Sequence, residues 1–167
     1  IYGASGSVGT YAIQLAKYFG ADVTGVCSTS NIEMVKSLGA DHVIDYTKED
    51  FTRNGQQYDL ILDAKTNRSI FDYSRALRPD GIYVTVGGSI IRLFQALILG
   101  PLISMISKKT IAIVALKVNK DLAYINELFE AGKVKPVIHQ LFPAAQAAAA
   151  HALMESNQHI GKLVLTW

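Results

Sequence analysis

Short apolar runs alternate with segments of helical period along this chain, and this alternation restricts the fold more than any other feature. Apolar runs bounded by turn residues predict strands at residues 1–2, 22–27, 42–45, 58–62, 81–86 and 110–116. Helical periodicity predicts helices at residues 7–19, 31–38, 69–77 and 120–131. Such alternation is typical of βαβ units joined by right-handed crossovers. We therefore predict an α/β fold, a doubly wound parallel sheet of order 3-2-1-4-5-6, which is the Rossmann fold.

The loop after the first strand has the spacing of a phosphate-binding loop. It reads Ala4-x-Gly6-x-x-Gly9 and leads directly into the first predicted helix. A dinucleotide site needs a tight turn, a residue without a side chain beside the pyrophosphate, and a glycine where helix and strand pack closely. The helix N-terminus then favours the negative phosphates. We predict cofactor contacts from the residues of this loop, namely Ser5, Gly6, Ser7, Val8 and Gly9.

The end of the second predicted strand bears on which dinucleotide binds. It reads Cys27-Ser28-Thr29-Ser30-Asn31, with no acidic residue before Glu33. An acid there would bind the ribose hydroxyl of NAD and repel a 2′-phosphate. Ser28, Ser30 and Asn31 offer donors to such a phosphate, or they simply cap the next helix. We predict NADP(H) as the cofactor, and NAD(H) stays open because no Arg or Lys stands among these residues.

Composition excludes several other classes of protein. The 167 residues are 50% hydrophobic and 18% charged, which fits one folded domain with an appendage. A net charge of +2 with no basic run longer than Lys108-Lys109 predicts no nucleic-acid partner. The single Cys27 cannot form an intrachain disulfide, and no secretory signal is visible, so we expect a cytoplasmic protein.

The end of the chain follows a different pattern. Pro143 opens an alanine-rich helix that reaches about Glu155, and residues 162–167 then alternate as a half-buried strand. That strand has no obvious place in a sheet already six strands wide. We therefore predict a dinucleotide-binding domain at residues 1–142 and a tail at residues 143–167 that belongs to another domain. Since the chain begins without Met and runs at once into the glycine loop, we expect a piece of a longer protein.

The chain resembles the medium-chain dehydrogenase/reductase superfamily, and most of all its zinc-independent quinone oxidoreductase branch. The glycine loop, the segment Ser37-Leu38-Gly39-Ala40-Asp41-His42-Val43-Ile44-Asp45-Tyr46 and the end Gly161-Lys162-Leu163-Val164-Leu165 carry the resemblance. It implies a protein of roughly twice this length with an N-terminal catalytic domain, which the tail would rejoin. It also implies a small-molecule substrate, no catalytic zinc and a homodimer through the sixth strand, whose unbroken apolar run would form a sheet edge.

The resemblance extends the predicted cofactor site to further residues. Tyr46 matches a tyrosine on the adenosine side, and Val86, Gly87 and Gly88 match backbone beside the nicotinamide. The segment Asp63-Ala64-Lys65-Thr66 departs from the family, which usually has a glycine soon after the aspartate. A lysine that some relatives have where Asn31 stands is also missing.

Several other features carry no predicted chemistry. The four histidines have no ligand spacing, so we predict no metal site. Ser5 and Ser7 do not form a nucleophile elbow, and Cys27 is a small hydrophobic residue of its strand. The apolar stretch at residues 90–106 is interrupted by Arg92 and Pro101 and is too short to span a membrane, so we predict no membrane partner. We interpret this stretch as a cover for an apolar substrate pocket, with a partner surface or plain core as alternatives.

The leading hypothesis is hydride transfer between NADP(H) and a quinone, an enal or another carbonyl-type or alcohol substrate. No proton donor can be named in the sequence, so the catalytic residues stay unknown, and we expect the chain alone to bind dinucleotide weakly and turn over no substrate. One alternative is S-adenosylmethionine-dependent methyl transfer, which would want an acid where Ser28–Asn31 stand. The other is a non-catalytic dinucleotide sensor.

Overall fold

The computed structural model describes residues 1–114 and 120–167. Its helices are α1 (Ser7–Tyr18), α2 (Ile32–Ser37), α3 (Ile70–Ala76), α4 (Ile90–Ser107), α5 (Leu122–Glu130) and α6 (Ala147–Glu155). Its strands are β1 (Thr24–Cys27), β2 (His42–Asp45), β3 (Tyr58–Asp63), β4 (Leu77–Thr85), β5 (Thr110–Ile113), β6 (Ile138–Pro143) and β7 (Lys162–Thr166). Two 3₁₀ turns, Thr29–Asn31 and Ala144–Gln146, precede α2 and α6.

A parallel sheet forms the centre of the molecule. β1 pairs with β2, and β3, β4 and β5 pair in that order, all in parallel. Tyr2 makes parallel bridges to Val26 of β1 and to Asp63 of β3, so it joins the two groups of strands. With Tyr2 as the first predicted strand, the order is the predicted 3-2-1-4-5-6. The predicted doubly wound fold is confirmed.

Helices cover the sheet on both sides. Val26 and Cys27 are successive residues of β1, so their side chains point to opposite faces. Val26 belongs to a buried cluster with Ile70 and Tyr73 of α3, while Cys27 belongs to a second cluster that contains Ile13 of α1. Each face of the strand is therefore packed by its own helices.

Two strands depart from their predicted bounds by more than two residues. β4 begins at Leu77 rather than at residue 81, because Leu77 pairs with Tyr58 across a register shift and Asp80 adopts a positive φ of 63°. β5 ends at Ile113, and the remaining predicted positions 115–116 lie outside the described residues.

The final strand does have a partner in this chain. β7 pairs in parallel with β6, from Ile138 opposite Lys162 to Pro143 opposite Thr166, in a sheet separate from the central one. β7 had no predicted partner because the sequence does not predict β6: five of the six residues of β6 are exposed and its apolar positions do not alternate. The division at residues 142/143 stays a prediction, although the β6–β7 pairing crosses it.

Helix α4 fills the stretch at residues 90–106. Ala96 and Gly100 are its buried residues, and a Cβ at Gly100 would lie 3.0 Å from Ile111 of β5. Most of its large apolar side chains are exposed, so the plain-core interpretation is wrong. Among the described helices, α4 alone is long and apolar enough to span a membrane. Its interruptions therefore do not rule out a span, and the absence of a membrane partner stays a prediction.

Candidate functional site

The glycine loop turns sharply between the first strand and α1. Gly3 has a φ of +84°, and the N–H groups of Gly3 and Ala4 both donate to the carbonyl oxygen of Val26, at 3.2 and 3.1 Å. Gly6 is the N-cap residue and caps α1 with no side chain. Because the first N–H groups of a helix have no partner within the helix, this turn presents open donors and the positive end of the helix dipole.

Gly9 brings α1 against the strand backbone. A Cβ at Gly9 would lie 2.2 Å from the carbonyl oxygen of Gly3 and 2.7 Å from the Cα of Ala4. Only glycine permits this approach. Gly9 therefore has the packing role of the third glycine in a dinucleotide loop, and it supports the site without facing a ligand.

A cavity of about 700 Å³ opens over this loop. It brings together seven of the twelve predicted cofactor residues, which are Ser5, Gly6, Ser7, Val8, Ser28, Asn31 and Tyr46. The other five, Gly9, Ser30, Val86, Gly87 and Gly88, do not line it. Val86 and the two glycines after it follow the carboxyl end of β4, two strands from the first strand, and their contact with the nicotinamide half stays a prediction.

Ser7 is held by the loop that precedes β7. Its hydroxyl donates to the carbonyl oxygen of Gly161 at 2.6 Å, and the N–H of Gly161 donates to the carbonyl oxygen of Ser5 at 2.9 Å. The hydroxyl proton of Ser7 is thus already used within the protein. We expect Ser7 to contact a phosphate through its backbone N–H instead.

The polar residues after β1 bond to one another. The side-chain amide of Asn31 donates to the hydroxyl oxygen of Ser28 at 3.2 Å, and the hydroxyls of Ser28 and Ser30 lie 3.3 Å apart. Ser28 is the N-cap residue of the 3₁₀ turn and Asn31 that of α2, as the capping alternative predicted, but neither side chain makes a capping hydrogen bond. Ser28 and Asn31 face the cavity instead.

A carboxylate lies close to this end of the sheet, at Asp45 of β2. It is 8% exposed and accepts hydrogen bonds from the hydroxyls of Thr29 and Thr47. These hydroxyl hydrogen bonds lower the pKa of Asp45 to about 2. Asp45 is therefore fully ionised at neutral pH, but its charge is satisfied internally and it does not line the cavity.

The segment after β3 keeps its turn without the expected glycine. Thr66 has a φ of +48°, a conformation that favours glycine, and its hydroxyl donates to the carbonyl oxygen of Gly87. The buried carboxylate of Asp63 accepts from the N–H groups of Lys65 and Thr66, at 2.9 and 2.7 Å, and from the hydroxyl of Tyr83 at 2.8 Å. Side-chain hydrogen bonds therefore hold this turn, where the family resemblance predicts a glycine.

Several polar residues that line the cavity were not predicted from the sequence, namely Lys65, Asn67, Arg68, Asn157 and His159. The first three follow the carboxyl end of β3, where ligands of doubly wound sheets bind, and this rule could have identified them. The other two come from the loop before β7, whose return to the glycine loop has no signal in the sequence.

The cavity is positively charged. Its described lining includes Lys65 and Arg68 but no Asp or Glu. Arg68 is paired with the carboxylate of Asp50 at 2.8 Å, behind the lining, so the charge of the cavity comes from Lys65. Two of the buried polar atoms without a partner in the described part of the chain, Nε of Arg68 and Nδ1 of His159, belong to lining residues. A cationic cavity over a helix N-terminus with unused polar groups fits an anionic ligand such as a dinucleotide.

Comparison with known proteins identifies the family. A family model described as zinc-binding dehydrogenase matches residues 38–165. The chain belongs to the medium-chain dehydrogenase/reductase superfamily, in its quinone oxidoreductase-like branch. The chloroplast envelope quinone oxidoreductase homolog of Arabidopsis thaliana is 32% identical over 97% of this chain and 50% of its own length.

Two further proteins show the same relationship. The chloroplastic NADPH-dependent alkenal/one oxidoreductase of Arabidopsis thaliana is 32% identical over 99% of this chain and 39% of its own length. The solved quinone oxidoreductase of Coxiella burnetii has a TM-score of 0.81 and 27% identity, over 99% of this chain and 51% of its own. The chain spans about half the length of the relatives it matches, and it corresponds to a nicotinamide-cofactor domain of an oxidoreductase family.

The description of the family raises the matter of zinc. Within residues 1–114 and 120–167, no group of three or more His, Cys, Asp or Glu side chains is placed to hold a metal ion. The residues described therefore do not fit a zinc site, and no step of the chemistry is assigned to zinc here. The absence of a catalytic zinc from the whole protein stays a prediction.

Proposed function

We propose that this chain binds NADP(H) for hydride transfer to or from a quinone, an enal or another carbonyl-type or alcohol substrate. The observation that carries the proposal is the cavity over the glycine loop, which has no acidic side chain among its described lining residues and one cation, Lys65, that no described carboxylate pairs with. When bound, the cofactor supplies the hydride. The chain's own residues bind and orient it: the first turn of α1 faces the phosphates, and Ser28 and Asn31 lie on the adenosine side.

The preference for NADP(H) rests on the end of β1. Ser28 and Asn31 line the cavity. The nearby carboxylate of Asp45 does not face it, because it accepts hydrogen bonds from the hydroxyls of Thr29 and Thr47. Hydrogen bonds to a charged group contribute about 1.5–3 kcal/mol each. We expect NADPH to bind about tenfold to a hundredfold more tightly than NADH, which corresponds to about 1.4–2.8 kcal/mol.

Titration calorimetry of the 167-residue chain with NADPH, NADH and S-adenosylmethionine tests this proposal. We expect weak but measurable binding of both dinucleotides, with NADPH preferred, and no binding of S-adenosylmethionine. Ser28→Asp should reverse the preference, because the new carboxylate would accept from the ribose and repel the 2′-phosphate. Asn31→Lys should sharpen it.

The matched control is Ser37→Asp, a serine on α2 that does not line the cavity. It adds the same charge and should leave the ratio of affinities unchanged. Equal affinity of the wild type for NADH and NADPH, or a ratio that Ser28→Asp does not move, would contradict the assignment of this site to the 2′-phosphate. Reduction of a quinone by the chain alone would contradict the proposal that other parts of the protein complete the catalytic site.

We also propose a homodimer through the outer side of β5. In the described part of the chain β5 pairs with β4 only, and Ile113 and Val114 at its end are 40% and 49% exposed. An unpaired apolar edge favours pairing with a second strand. Val114→Lys should convert a dimer to a monomer in light scattering, whereas Phe19→Lys, at an exposed residue after α1, should not. A monomeric wild type at high concentration would argue against this interface.

Two further assignments are proposals of the same kind. Helix α4 would cover an apolar substrate, since its exposed apolar side chains follow the β4 end that carries Gly87 and Gly88. A cytoplasmic location is our expectation from composition; relatives include proteins named as chloroplastic and mitochondrial. Fractionation of cells that produce the whole protein would decide the location.

A further inference from the structure

The side chain of Lys65 extends over the glycine loop. A Cβ at Gly3 would lie 3.1 Å from Cγ of Lys65, so the aliphatic part of the lysine lies directly on the loop. Its ammonium group reaches Oδ1 of Asn157, at 3.4 Å, which also lines the cavity. Lys65 therefore bridges the two segments that enclose the loop, one after β3 and one before β7.

The charge of Lys65 has no acidic partner. In the part of the chain that the structure describes, no carboxylate lies within 4.0 Å of its ammonium group, whereas Lys17 and Lys36 each have one at 3.0 Å or less. A neutral amide at 3.4 Å is a weak partner for an ammonium group. The cavity therefore holds a cation whose charge the protein leaves available to a ligand.

The backbone of Lys65 is fixed from both sides. Its N–H donates to the buried carboxylate of Asp63 at 2.9 Å, and a Cβ at Gly88 would lie 2.3 Å from its carbonyl oxygen. The backbone of Lys65 is therefore held by contacts that do not involve its exposed side chain.

Strand order decides which phosphate Lys65 can reach. Ser28 follows β1 on one side of the first strand, whereas Lys65 follows β3 on the other side. Since neighbouring strands lie about 4.8 Å apart, the two residues are separated by about 10 Å across the sheet. The glycine loop lies between them. For a ligand with its 2′-phosphate at Ser28 and its pyrophosphate at the loop, the pyrophosphate is the only one of its phosphate groups within reach of Lys65.

We propose that Lys65 binds the pyrophosphate of the dinucleotide and therefore strengthens binding of NADH and NADPH equally. This inference rests on the proposed function and assigns a role to a residue that stands in the segment departing from the family pattern. Ser28 and Asn31 would set the preference between the cofactors, and Lys65 would set the affinity for both.

Titration of Lys65→Met with NADH, NADPH and 2′-AMP tests the proposal. We expect the affinities for NADH and NADPH to fall by the same factor, about tenfold, because one charge-assisted contact is lost. The affinity for 2′-AMP, which has no pyrophosphate, should not change. Lys65→Arg should restore most of the binding, and Lys133→Met, at an exposed lysine outside the cavity, should bind like the wild type.

Three results would overturn the proposal. Loss of NADPH affinity alone would place Lys65 at the 2′-phosphate. Unchanged affinity for both cofactors in Lys65→Met, with normal binding by the wild type, would remove Lys65 from the site while leaving the proposed function intact. Absence of dinucleotide binding by the wild type would overturn the proposed function, and this inference with it.

Discussion

Replacement of Gly9 by alanine tests whether the glycine loop depends on contact between helix and strand. An added Cβ would lie 2.2 Å from the carbonyl oxygen of Gly3, and ordinary van der Waals contacts begin at 3.4 Å, so the shortfall is 1.2 Å. The Cα and carbonyl carbon of Ala4 would also be met, at 2.7 and 2.8 Å. All three atoms are backbone, so no side-chain rotation can relieve the clash.

The expected loss of stability follows from this geometry. Overpacking of a well-packed core costs about 1–3 kcal/mol, and more where the surroundings cannot yield. Because α1 would have to move off the strand and disturb Ile13 in its buried cluster, we expect at least about 3 kcal/mol. At about 2–4 °C per kcal/mol for a chain of this size, Tm should fall by about 6–12 °C.

Gly6→Ala is the matched comparison. Its Cβ would lie 3.5 Å from the nearest atom, the carbonyl oxygen of Gly3, and its φ of −79° suits any residue. This variant should therefore melt within about 3 °C of the wild type, a change of about 1 kcal/mol or less. It places a methyl group where the pyrophosphate would meet the backbone, so NADPH affinity should fall at least about tenfold.

Circular dichroism melting and calorimetric titration of both variants give the two measurements. A Gly9→Ala variant that melts within about 2 °C of the wild type would show that the close approach of α1 is not needed, since overpacking of this kind should cost more. A Gly6→Ala variant with wild-type affinity would remove the loop from the cofactor site.

Three further predictions concern single side chains. Because the pKa of Asp45 is lowered to about 2, its contribution to stability is complete above the ordinary carboxyl pKa of about 4 and is lost as the pH falls towards 2. The Tm difference between wild type and Asp45→Asn should shrink over that range, and a constant difference would contradict this account. Burial, with Asp45 nearby, raises the pKa of Cys27 to about 11, so the thiol should resist iodoacetamide at pH 8 until guanidinium unfolds the chain; rapid native labelling would refute this. At Thr66, where φ is +48°, glycine should be more stable than alanine by about 1 kcal/mol in chemical denaturation, because both lose the hydroxyl and only alanine keeps the backbone strain; the reverse order would exclude that strain.

Local patterns in the sequence were sufficient for the central sheet. Each strand and helix of the βαβ units carries its own periodicity, and right-handed crossovers leave few ways to join them. The strand order of the sheet could therefore be predicted from the sequence, and the position of Tyr2 between β1 and β3 agrees with it. The glycine loop was equally readable, since Gly6 and Gly9 act through backbone geometry that depends on residue type alone.

Tertiary structure decided the features that depend on distant contacts. β6 has mostly exposed residues and no alternation, and its identity as a strand comes from pairing with β7. The burial of only one side of α4 likewise depends on how Gly100 meets Ile111. Gly100 and Ile111 lie 11 residues apart and Ile138 and Lys162 lie 24 apart, in different elements, so the periodicity within one element does not encode these contacts.

The candidate site divides along the same line. Sequence alone determined the loop and the polar end of β1, because strand, turn and helix are contiguous there. The tertiary structure brought Lys65 and His159 to the cavity, from segments more than 50 positions along the chain from the loop. The carboxyl ends of parallel strands converge only once the sheet has formed, so the charge of the site is a property of the fold rather than of any one segment.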